Sequence, residues 1–296
     1  MTLRRRLLAV AALASVVAIS FALAGTSAFS QPSQLAYVGY PSSIAVLGHS
    51  GPTGFNSDPR RPAAFVRANS WATGTNPAVK SVYLRILAAN PRIRGRNFNL
   101  AQGGATVRQL VPQAQRAVSL RPTPDLVLIQ IMDNDIVCPA RARDYAHFRT
   151  TFVSALEVLA AGAPESSFFV VSQFGSPTTF WKALTPRQRR RLGRKNRDLP
   201  PPAGVGPCAF LDPAGRVVPK NLAKLERTIH GYEAQLEAGC ERFRQCRYDG
   251  GAFGRVVDKR RYISRDLNHF SIKGHAKAAA VAWAALKRAG LVPRAA

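Results

Sequence analysis

Short apolar runs alternate with longer amphipathic stretches along most of the chain. The apolar runs lie at 44–47, 98–101, 126–131 and 168–172, and each is followed by a stretch with helical character. Runs of this length are typical of buried strands. Strands that alternate with helices form parallel sheets covered on both faces. The pattern therefore predicts an α/β fold with a central parallel sheet.

Helices are predicted at 78–89, 106–119, 143–161, 222–236 and 272–287. Ser271 is a suitable N-cap for the last of them. The alternation breaks at about 175–219, where a basic run precedes a segment rich in proline and glycine. We interpret this segment as an insertion that contains a short basic helix and an irregular loop held by Cys208. The pattern favours one domain over 29–296.

The N-terminus predicts a secretory signal peptide over residues 1–28. Three arginines, Arg4 to Arg6, precede an apolar run that ends near Ala24, and small residues continue to Ala28. This three-part pattern predicts cleavage near Ala28, with Ala24 as a second possible position. An uncleaved membrane anchor is the alternative, because the run approaches the roughly 18 residues of a spanning helix. We expect a secreted or extracytoplasmic protein.

Composition narrows the class of protein and the kind of partner. With 46% hydrophobic and 20% charged residues, the chain is globular in composition. Its net charge of +26 favours contact with an anionic surface but does not indicate a specific nucleic-acid partner. The densest positive charge is in one run, which contains Arg187, Arg189, Arg190, Arg191, Arg194, Lys195 and Arg197. A run of this kind is most often a solvated helix face.

The four cysteines indicate disulfide bonds. An even number of cysteines in an exported chain favours two bonds over free thiols, and the absence of a C-x-x-C pair weakens zinc and redox interpretations. Four cysteines allow three pairings. We expect Cys240 to pair with Cys246, since they can close a short loop, and Cys138 to pair with Cys208.

Two short motifs carry the side chains of a nucleophile and a base. Ser50 directly follows the first predicted strand, and the carboxyl ends of parallel strands open onto the ligand crevice. Asp266 lies three residues before His269, so one turn can supply both a base and the carboxylate that orients it. Taken alone, each motif is more often a turn or a helix cap.

Two further motifs end the second and third predicted strands. Residues 99–105 include the glycine pair Gly103 and Gly104, which allows the backbone N–H groups to approach a substrate. Asn134 follows a strongly apolar strand, where its amide can donate to an oxyanion. A glycine turn and an Asx turn are the structural alternatives.

Together the four motifs resemble the four sequence blocks of the SGNH, or GDSL, hydrolase family. The resemblance extends from about Ile44 to Trp283 and includes Asn-Ser-Trp-Ala-Thr-Gly-Thr at 69–75. It implies a three-layer α/β/α sandwich with a parallel sheet of about five strands. It also implies an esterase or lipase that acts through an acyl-enzyme and needs neither a cofactor nor a metal.

The resemblance assigns a role to each motif. Ser50 would be the nucleophile, His269 the general base and acid, and Asp266 the residue that orients His269. The backbone N–H groups of Ser50 and Gly104 and the side chain of Asn134 would form the oxyanion hole. The implied substrates are carboxylic esters, either small molecules or envelope-associated compounds, with short acyl or acetyl groups, lipids and acylated carbohydrates as candidates.

The sequence departs from the family pattern at two positions. His49 stands where the family has Asp in Gly-Asp-Ser, so the hydrogen bonds beside the nucleophile must differ. Met132 stands where the third block has Gly, and we expect its side chain to narrow or reshape the acyl pocket. The other histidines receive no catalytic role: His275 is expected to be solvated or to cap the last helix, and His147 and His230 to be structural.

Three alternatives remain beside this interpretation. An ordinary α/β-hydrolase would need the pattern G-x-S-x-G, which Pro52 breaks. A zinc site would have to join His49, His269, His275 and Asp266, whose spacings match no standard ligand set. The third is a weak or inactive hydrolase-fold protein that binds an anionic envelope polymer or a membrane surface through its arginine-rich insertion.

Overall fold

The computed structural model describes residues 39–195 and 208–294. Five strands form one parallel sheet: β1 (Ile44–Gly48), β2 (Asn97–Asn99), β3 (Leu126–Gln130), β4 (Ser167–Val170) and β5 (Cys246–Tyr248). The α-helices are α1 (Val82–Ala89), α2 (Leu110–Ser119), α3 (Ala142–Gly162), α4 (Pro177–Ala183), α5 (Pro186–Lys195), α6 (Pro219–Cys240) and α7 (Ile272–Arg288). The predicted signal peptide lies outside the described residues, as does Arg197.

The sheet has the strand order β2-β1-β3-β4-β5. Every residue of β1 and β3 is buried, because helices cover both faces of the sheet. Alternate residues of β1 enter different cores: Ile44 and Val46 pack towards α1 and α7, while Leu47 packs towards α2, α3 and α6. The predicted fold class, a parallel α/β/α sandwich, is confirmed.

The strand order creates a switch point between β1 and β3. The chain leaves β1 to form β2 on one side and then returns to form β3 on the other side. Connections that diverge in this way open a crevice at the carboxyl ends of the two strands, where α/β proteins bind their ligands. The segments after β1 and β3 carry Ser50 and Asn134, so the topology directs both towards one crevice.

The predicted elements differ from the structure mainly at their ends. Helix α1 begins at Val82 rather than at residue 78, because Ser81 caps it by accepting a hydrogen bond from the Leu84 N–H, and Lys80 has a positive φ of 49°. Strand β5 and helix α4 were not predicted. As far as Lys195, where the described residues break off, the basic run forms a helix, α5, as expected. A membrane-spanning helix, long and apolar enough to cross, is absent from residues 39–195 and 208–294.

Both expected disulfide pairings are present. Cys138 is bonded to Cys208, with Cα atoms 5.1 Å apart, and Cys240 is bonded to Cys246, with Cα atoms 5.2 Å apart. The first bond connects the loop after β3 to the segment that precedes α6. The second connects the end of α6 to the start of β5, so it lies beside the edge strand of the sheet.

Candidate functional site

The end of β1 is held rigidly before it reaches Ser50. Gly48 pairs with Gln130 of β3 and has a φ of 133°; a Cβ atom there would lie 1.8 Å from the Gln130 carbonyl oxygen, so only glycine fits. The buried Gln113 side chain accepts from the Gly48 N–H at 2.6 Å and donates to the Gly48 carbonyl at 3.0 Å. The backbone just before Ser50 therefore has little freedom to move.

Ser50, His269 and Asp266 form a continuous chain of hydrogen bonds. The distance from His269 Nε2 to Ser50 Oγ is 2.9 Å, and the distance from His269 Nδ1 to Asp266 Oδ2 is 2.7 Å. Because the Asp266 carboxylate can only accept a hydrogen bond, the facing Nδ1 of His269 carries the proton. Nε2 is then unprotonated and accepts the hydrogen bond of the Ser50 hydroxyl. Such a chain allows the imidazole to take the proton of the hydroxyl.

The Asp266 carboxylate is surrounded by donors. Oδ1 accepts from the Ser264 hydroxyl and from the backbone N–H groups of Asn268 and His269, and Oδ2 accepts from the Asn56 side chain at 2.5 Å as well as from His269. Partial burial raises the pKa of Asp266, but the hydrogen bonds from His269 and Ser264 outweigh it and hold the pKa well below its usual range. The carboxylate therefore stays ionised.

The three expected oxyanion donors differ in their present contacts. Among the described residues, the backbone N–H groups of Ser50 and Gly104 donate to no protein group. Gly104 is exposed and has a φ of 75°, so its peptide is turned as glycine permits. The exposed Asn134 side chain donates from Nδ2 to the Ala105 carbonyl at 2.9 Å, which leaves one of its two N–H hydrogens for another acceptor.

The segment after β3 also fixes the turn that carries Gly104. Both carboxylate oxygens of Asp135 accept from the Val107 N–H at 3.0 Å, and Tyr232 donates its hydroxyl to the Asp135 carbonyl at 2.9 Å. Burial raises the pKa of Asp135 to about 7. Asn134 and Asp135 thus hold the Gly104 turn from neighbouring positions, which sequence reasoning did not anticipate for Asp135.

His49 occupies the family's Asp position as a buried, neutral imidazole. Its Nδ1 accepts from the Gly51 N–H at 2.9 Å. Its Nε2 lies 3.4 Å from Asp133 Oδ2 without hydrogen-bond geometry. Burial lowers the pKa of His49, and the nearby Asp133 carboxylate offsets that effect only in part. The expected change in local hydrogen bonding is therefore a contact between His49 and the backbone that follows Ser50.

Two predictions about side chains near the site were wrong. Met132 does not line an acyl pocket: it is fully buried and belongs to the apolar core under α2, α3 and α6. Its φ of 130° lies in the region that favours glycine, which explains why glycine is the usual residue there. His275 is not solvated and does not cap α7; it is 1% exposed, packs edge-on against Phe270, and the N-cap is Ser271.

The structure also locates the two remaining histidines and bears on the alternative of a metal site. His147 is exposed on α3, and His230 is exposed on α6, where its Nδ1 lies 3.1 Å from Glu233. Both lie on helices, as expected. In the parts of the chain that the structure describes, His, Cys, Asp and Glu side chains form no group of three or more suited to a metal ion.

Sequence reasoning missed Asn56 and the aromatic pair Phe55 and Phe65. These residues follow Ser50 within a loop that shows no periodicity, so no local pattern marks them. Asn56 reaches Asp266 across 210 positions of sequence, and the Phe55 ring packs edge-on against His269 with centroids 4.8 Å apart. Their roles depend on the path of the loop.

The basic helix α5 lies beside the loop that carries Asp266. The side chain of Arg191 donates to the Arg265 carbonyl at 3.4 Å, one residue before Asp266. Helix α5 contains no acidic residue. The exposed arginines of these two segments are Arg187, Arg190, Arg191, Arg194, Arg260, Arg261 and Arg265. We call these residues the basic surface.

A hydroxyl, an imidazole and a carboxylate lie joined by hydrogen bonds at the carboxyl edge of a parallel sheet, an arrangement suited to nucleophilic hydrolysis. The chain belongs to the GDSL-like lipase/acylhydrolase family, whose model matches residues 42–282. That match covers the first strand, the hydrogen-bonded chain and most of α7. The chain is therefore an ester hydrolase of the esterase and lipase type.

Several solved structures are similar to this chain at low sequence identity. The salicylyl-acyltransferase SsfX3 from a tetracycline biosynthetic pathway is 15% identical, with a TM-score of 0.50 over 87% of this chain and 57% of that one. TesA is 13% identical (TM-score 0.49; 83% and 99% covered). A catalytic mutant of Axe2, an acetylxylan esterase from Geobacillus stearothermophilus, is 17% identical (TM-score 0.47; 86% and 95% covered). No curated protein matches the chain.

Proposed function

We propose that this protein is an extracytoplasmic serine esterase that hydrolyses carboxylic esters through an acyl-enzyme. In this proposal Ser50 is the nucleophile, His269 is the general base and acid, and Asp266 orients His269. The N–H groups of Ser50 and Gly104 and the side chain of Asn134 bind the oxyanion.

One observation carries the proposal: the hydrogen bonds from Ser50 to His269 and from His269 to Asp266 measure 2.9 Å and 2.7 Å. A serine hydroxyl is a weak nucleophile unless a base takes its proton, and the base works best when its tautomer is held by a carboxylate. The many donors around Asp266 support this role, because they keep the carboxylate ionised and hold its orientation.

In the first step, Ser50 Oγ attacks the ester carbonyl carbon while His269 Nε2 takes the hydroxyl proton. The carbonyl oxygen becomes an oxyanion, which accepts hydrogen bonds from the Ser50 and Gly104 N–H groups and from Asn134. When the intermediate collapses, the bond to the alcohol oxygen breaks. His269 gives its proton to that oxygen, so the alcohol leaves neutral and the acyl group remains on Ser50.

In the second step, water replaces the alcohol. His269 takes a proton from the water as its oxygen attacks the acyl carbonyl carbon, and the same donors bind the second oxyanion. Collapse breaks the bond to Ser50 Oγ, which recovers its proton from His269. The carboxylic acid leaves, and the enzyme returns to its starting protonation state. Asp266 stays ionised throughout and stabilises the imidazolium.

Labelling with a small fluorophosphonate tests the nucleophile. We expect a single adduct, which peptide mass spectrometry locates at Ser50, and loss of both labelling and ester hydrolysis in Ser50→Ala. Ser119→Ala, which changes an exposed serine at the end of α2, is the matched control and should behave as wild type. An adduct at another residue, or wild-type turnover by Ser50→Ala, would contradict the proposal.

Measuring hydrolysis of a panel of esters identifies the preferred substrate. Short acyl and acetyl esters, lipids and acylated carbohydrates all suit a Ser-His-Asp mechanism, because the reacting atoms are the same in each. A panel that varies acyl length at constant alcohol ranks these candidates by kcat/KM. The same panel with Ser50→Ala measures the background rate.

Export is proposed from the N-terminal pattern, with a cleaved segment over residues 1–28 and one domain over 29–296. The two disulfide bonds support it, because such bonds persist in oxidising compartments. N-terminal sequencing of the mature protein from the extracytoplasmic fraction should read from residue 29, or from residue 25 for the second cleavage position. A chain that keeps Met1 and stays with the membrane would instead support the uncleaved anchor.

A second candidate function is docking on an anionic envelope polymer or membrane surface. The basic surface favours it, since α5 has no acidic residue and contacts the loop before Asp266. Wild-type protein should bind vesicles that contain phosphatidylglycerol but not neutral vesicles, and 0.5 M salt should release it. Reversal of charge at Arg187, Arg190 and Arg194 should abolish binding. Ser50 labelling decides whether docking accompanies or replaces hydrolysis.

A further inference from the structure

A short hairpin follows Ser50 and lies on the loop that carries His269. Residues 54–66 form this hairpin, which we call the aromatic hairpin; its ends pair through an antiparallel bridge between Phe55 and Phe65. Within it, the Asn56 N–H donates to the Ala64 carbonyl, and the Ala63 N–H donates to the Asn56 side chain at 2.6 Å. The Asn56 side chain also donates a hydrogen bond to Asp266, which connects the hairpin to the loop that carries His269.

The two aromatic rings of the hairpin contact each other, His269 and the position of Gly103. The Phe55 and Phe65 rings are 4.7 Å apart between centroids. Phe55 packs edge-on against the His269 ring. Phe65 covers Gly103, where an added Cβ would lie 2.7 Å from the ring atom Cζ. The pair therefore extends from the base to the residue next to Gly104, along one side of the position where the ester carbonyl must lie.

The exposure of Phe65 is unusual for a ring that holds a hairpin together. Phe65 is 47% exposed, and it is the one aromatic among the large apolar residues exposed in the described part of the chain. An aromatic ring buries 150–250 Å², so an exposed ring beside a reacting centre leaves apolar area free for a ligand.

We propose that Phe55 and Phe65 form an apolar subsite that binds the hydrocarbon part of the ester. This inference rests on the proposed function and narrows its substrate class to esters with an alkyl or aryl group large enough to contact both rings. The subsite favours such esters over esters whose acyl group and alcohol are both small, because only the larger groups displace water from the rings. The hydrocarbon part belongs either to the acyl group or to the alcohol. In both cases it would contact the same two rings.

The test compares Phe65→Ala and Phe65→Leu with wild type in two substrate series. One series varies the acyl group, p-nitrophenyl acetate against octanoate, and the other varies the alcohol, ethyl acetate against benzyl acetate. In one series, Phe65→Ala should reduce the preference in kcat/KM for the larger substrate by about 10- to 100-fold, the range expected when an apolar pocket loses contact area. Phe65→Leu should fall between Ala and wild type.

The outcomes separate the subsite from the reaction itself. Val257→Ala truncates another exposed apolar side chain, on the segment after β5, and should leave both preferences unchanged. If the wild type is labelled at Ser50 but Phe65→Ala loses the same factor on every ester, the subsite is wrong and the esterase stands. If the wild type neither takes the label nor hydrolyses any ester, the proposed function is wrong, and the subsite with it.

Discussion

The Asn56 side chain donates a 2.5 Å hydrogen bond to Asp266 Oδ2, the same oxygen that accepts from His269 Nδ1. The bond joins the hairpin after Ser50 to the loop that carries His269. Asp266 Oδ1 is held by three other donors from its own loop. Asn56 is thus the contact that couples the orientation of the carboxylate to the segment that follows Ser50.

Replacing Asn56 should slow hydrolysis without unfolding the protein. Asn56 has a φ of 54°, which glycine and aspartate tolerate, so Asn56→Gly removes the side chain without backbone strain. A hydrogen bond to a charged group contributes about 1.5–3 kcal/mol, so we expect kcat/KM to fall roughly 10- to 100-fold. Steady-state kinetics on a p-nitrophenyl ester measures the loss, and thermal unfolding checks the fold.

The matched variant Asn56→Asp keeps the size of the side chain but replaces a neutral hydrogen-bond donor with a negatively charged acceptor. A second carboxylate beside Asp266 raises the pKa of Asp266 and competes for the His269 proton. We expect a larger loss than in Asn56→Gly, with a pH profile of kcat/KM that changes shape. Equal activity in wild type and both variants would show that Asn56 does not position Asp266.

Asn134→Ala should lower turnover while leaving the nucleophile reactive. Loss of one oxyanion donor costs about 10²- to 10³-fold in kcat, and labelling at Ser50 should continue. Asn134→Asp offers no donor and adds a negative charge near the oxyanion, so it should be at least as impaired. Because Asn134 also bonds to the Ala105 carbonyl, unfolding is measured for each variant. A loss below about threefold in stably folded Asn134→Ala would remove Asn134 from the oxyanion hole.

His275→Leu should stabilise the protein, most strongly in mild acid. Both ring nitrogens of His275 are buried with no hydrogen-bond partner among the described residues, and burial lowers its pKa to about 3. Below about pH 6.5 the unfolded chain takes up a proton that the folded chain cannot, so wild type loses stability as pH falls towards 3. The variant lacks this loss, which reaches about 1.4 kcal/mol per pH unit.

Denaturant unfolding of both proteins between pH 8 and pH 4 measures this difference. The free-energy curves should diverge as pH falls, with the variant above wild type. The matched control is His147→Leu, at an exposed position on α3, whose curve should run parallel to that of wild type. Parallel curves for His275→Leu and wild type would contradict the burial of a neutral imidazole.

The two disulfide bonds should contribute unequally to stability. Cys138 and Cys208 are separated by 70 residues, whereas Cys240 and Cys246 are separated by six. Loop-closure entropy assigns the longer loop about 4 kcal/mol and the shorter one about 2 kcal/mol. Unfolding of the two Cys→Ala pair variants should reproduce this order. The reverse order would mean that native-state packing, rather than the unfolded chain, decides the difference.

The sheet was readable from the sequence where burial is complete. Strands β1 and β3 need an apolar or small residue at nearly every position, since helices cover both faces, and this leaves a continuous run. Strand β5 leaves no such signal. It has three residues, two of them only partly buried, and its place is set by pairing with β4 and by the Cys240–Cys246 bond.

The candidate site also contains residues that the sequence revealed and residues that it did not. Ser50 at the end of a strand, and Asp266 three residues before His269, are local patterns that the sequence displays, and the structure brings these side chains within hydrogen-bonding distance. Met132 and His275 were misplaced, because the direction of a side chain depends on backbone dihedrals and on helix packing. Neither property can be read from residue type alone.

The sequence by itself determined the parallel α/β fold, the family blocks, the even set of cysteines and the residues able to act as nucleophile and base. Periodicity and short-range spacing encode these features. Only the tertiary structure decided that Asn56 donates to Asp266, that Phe55 and Phe65 contact His269 and Gly103, and that α5 lies beside the Asp266 loop. Each of these contacts joins segments distant in sequence or depends on the path of a loop, and local patterns do not specify such paths.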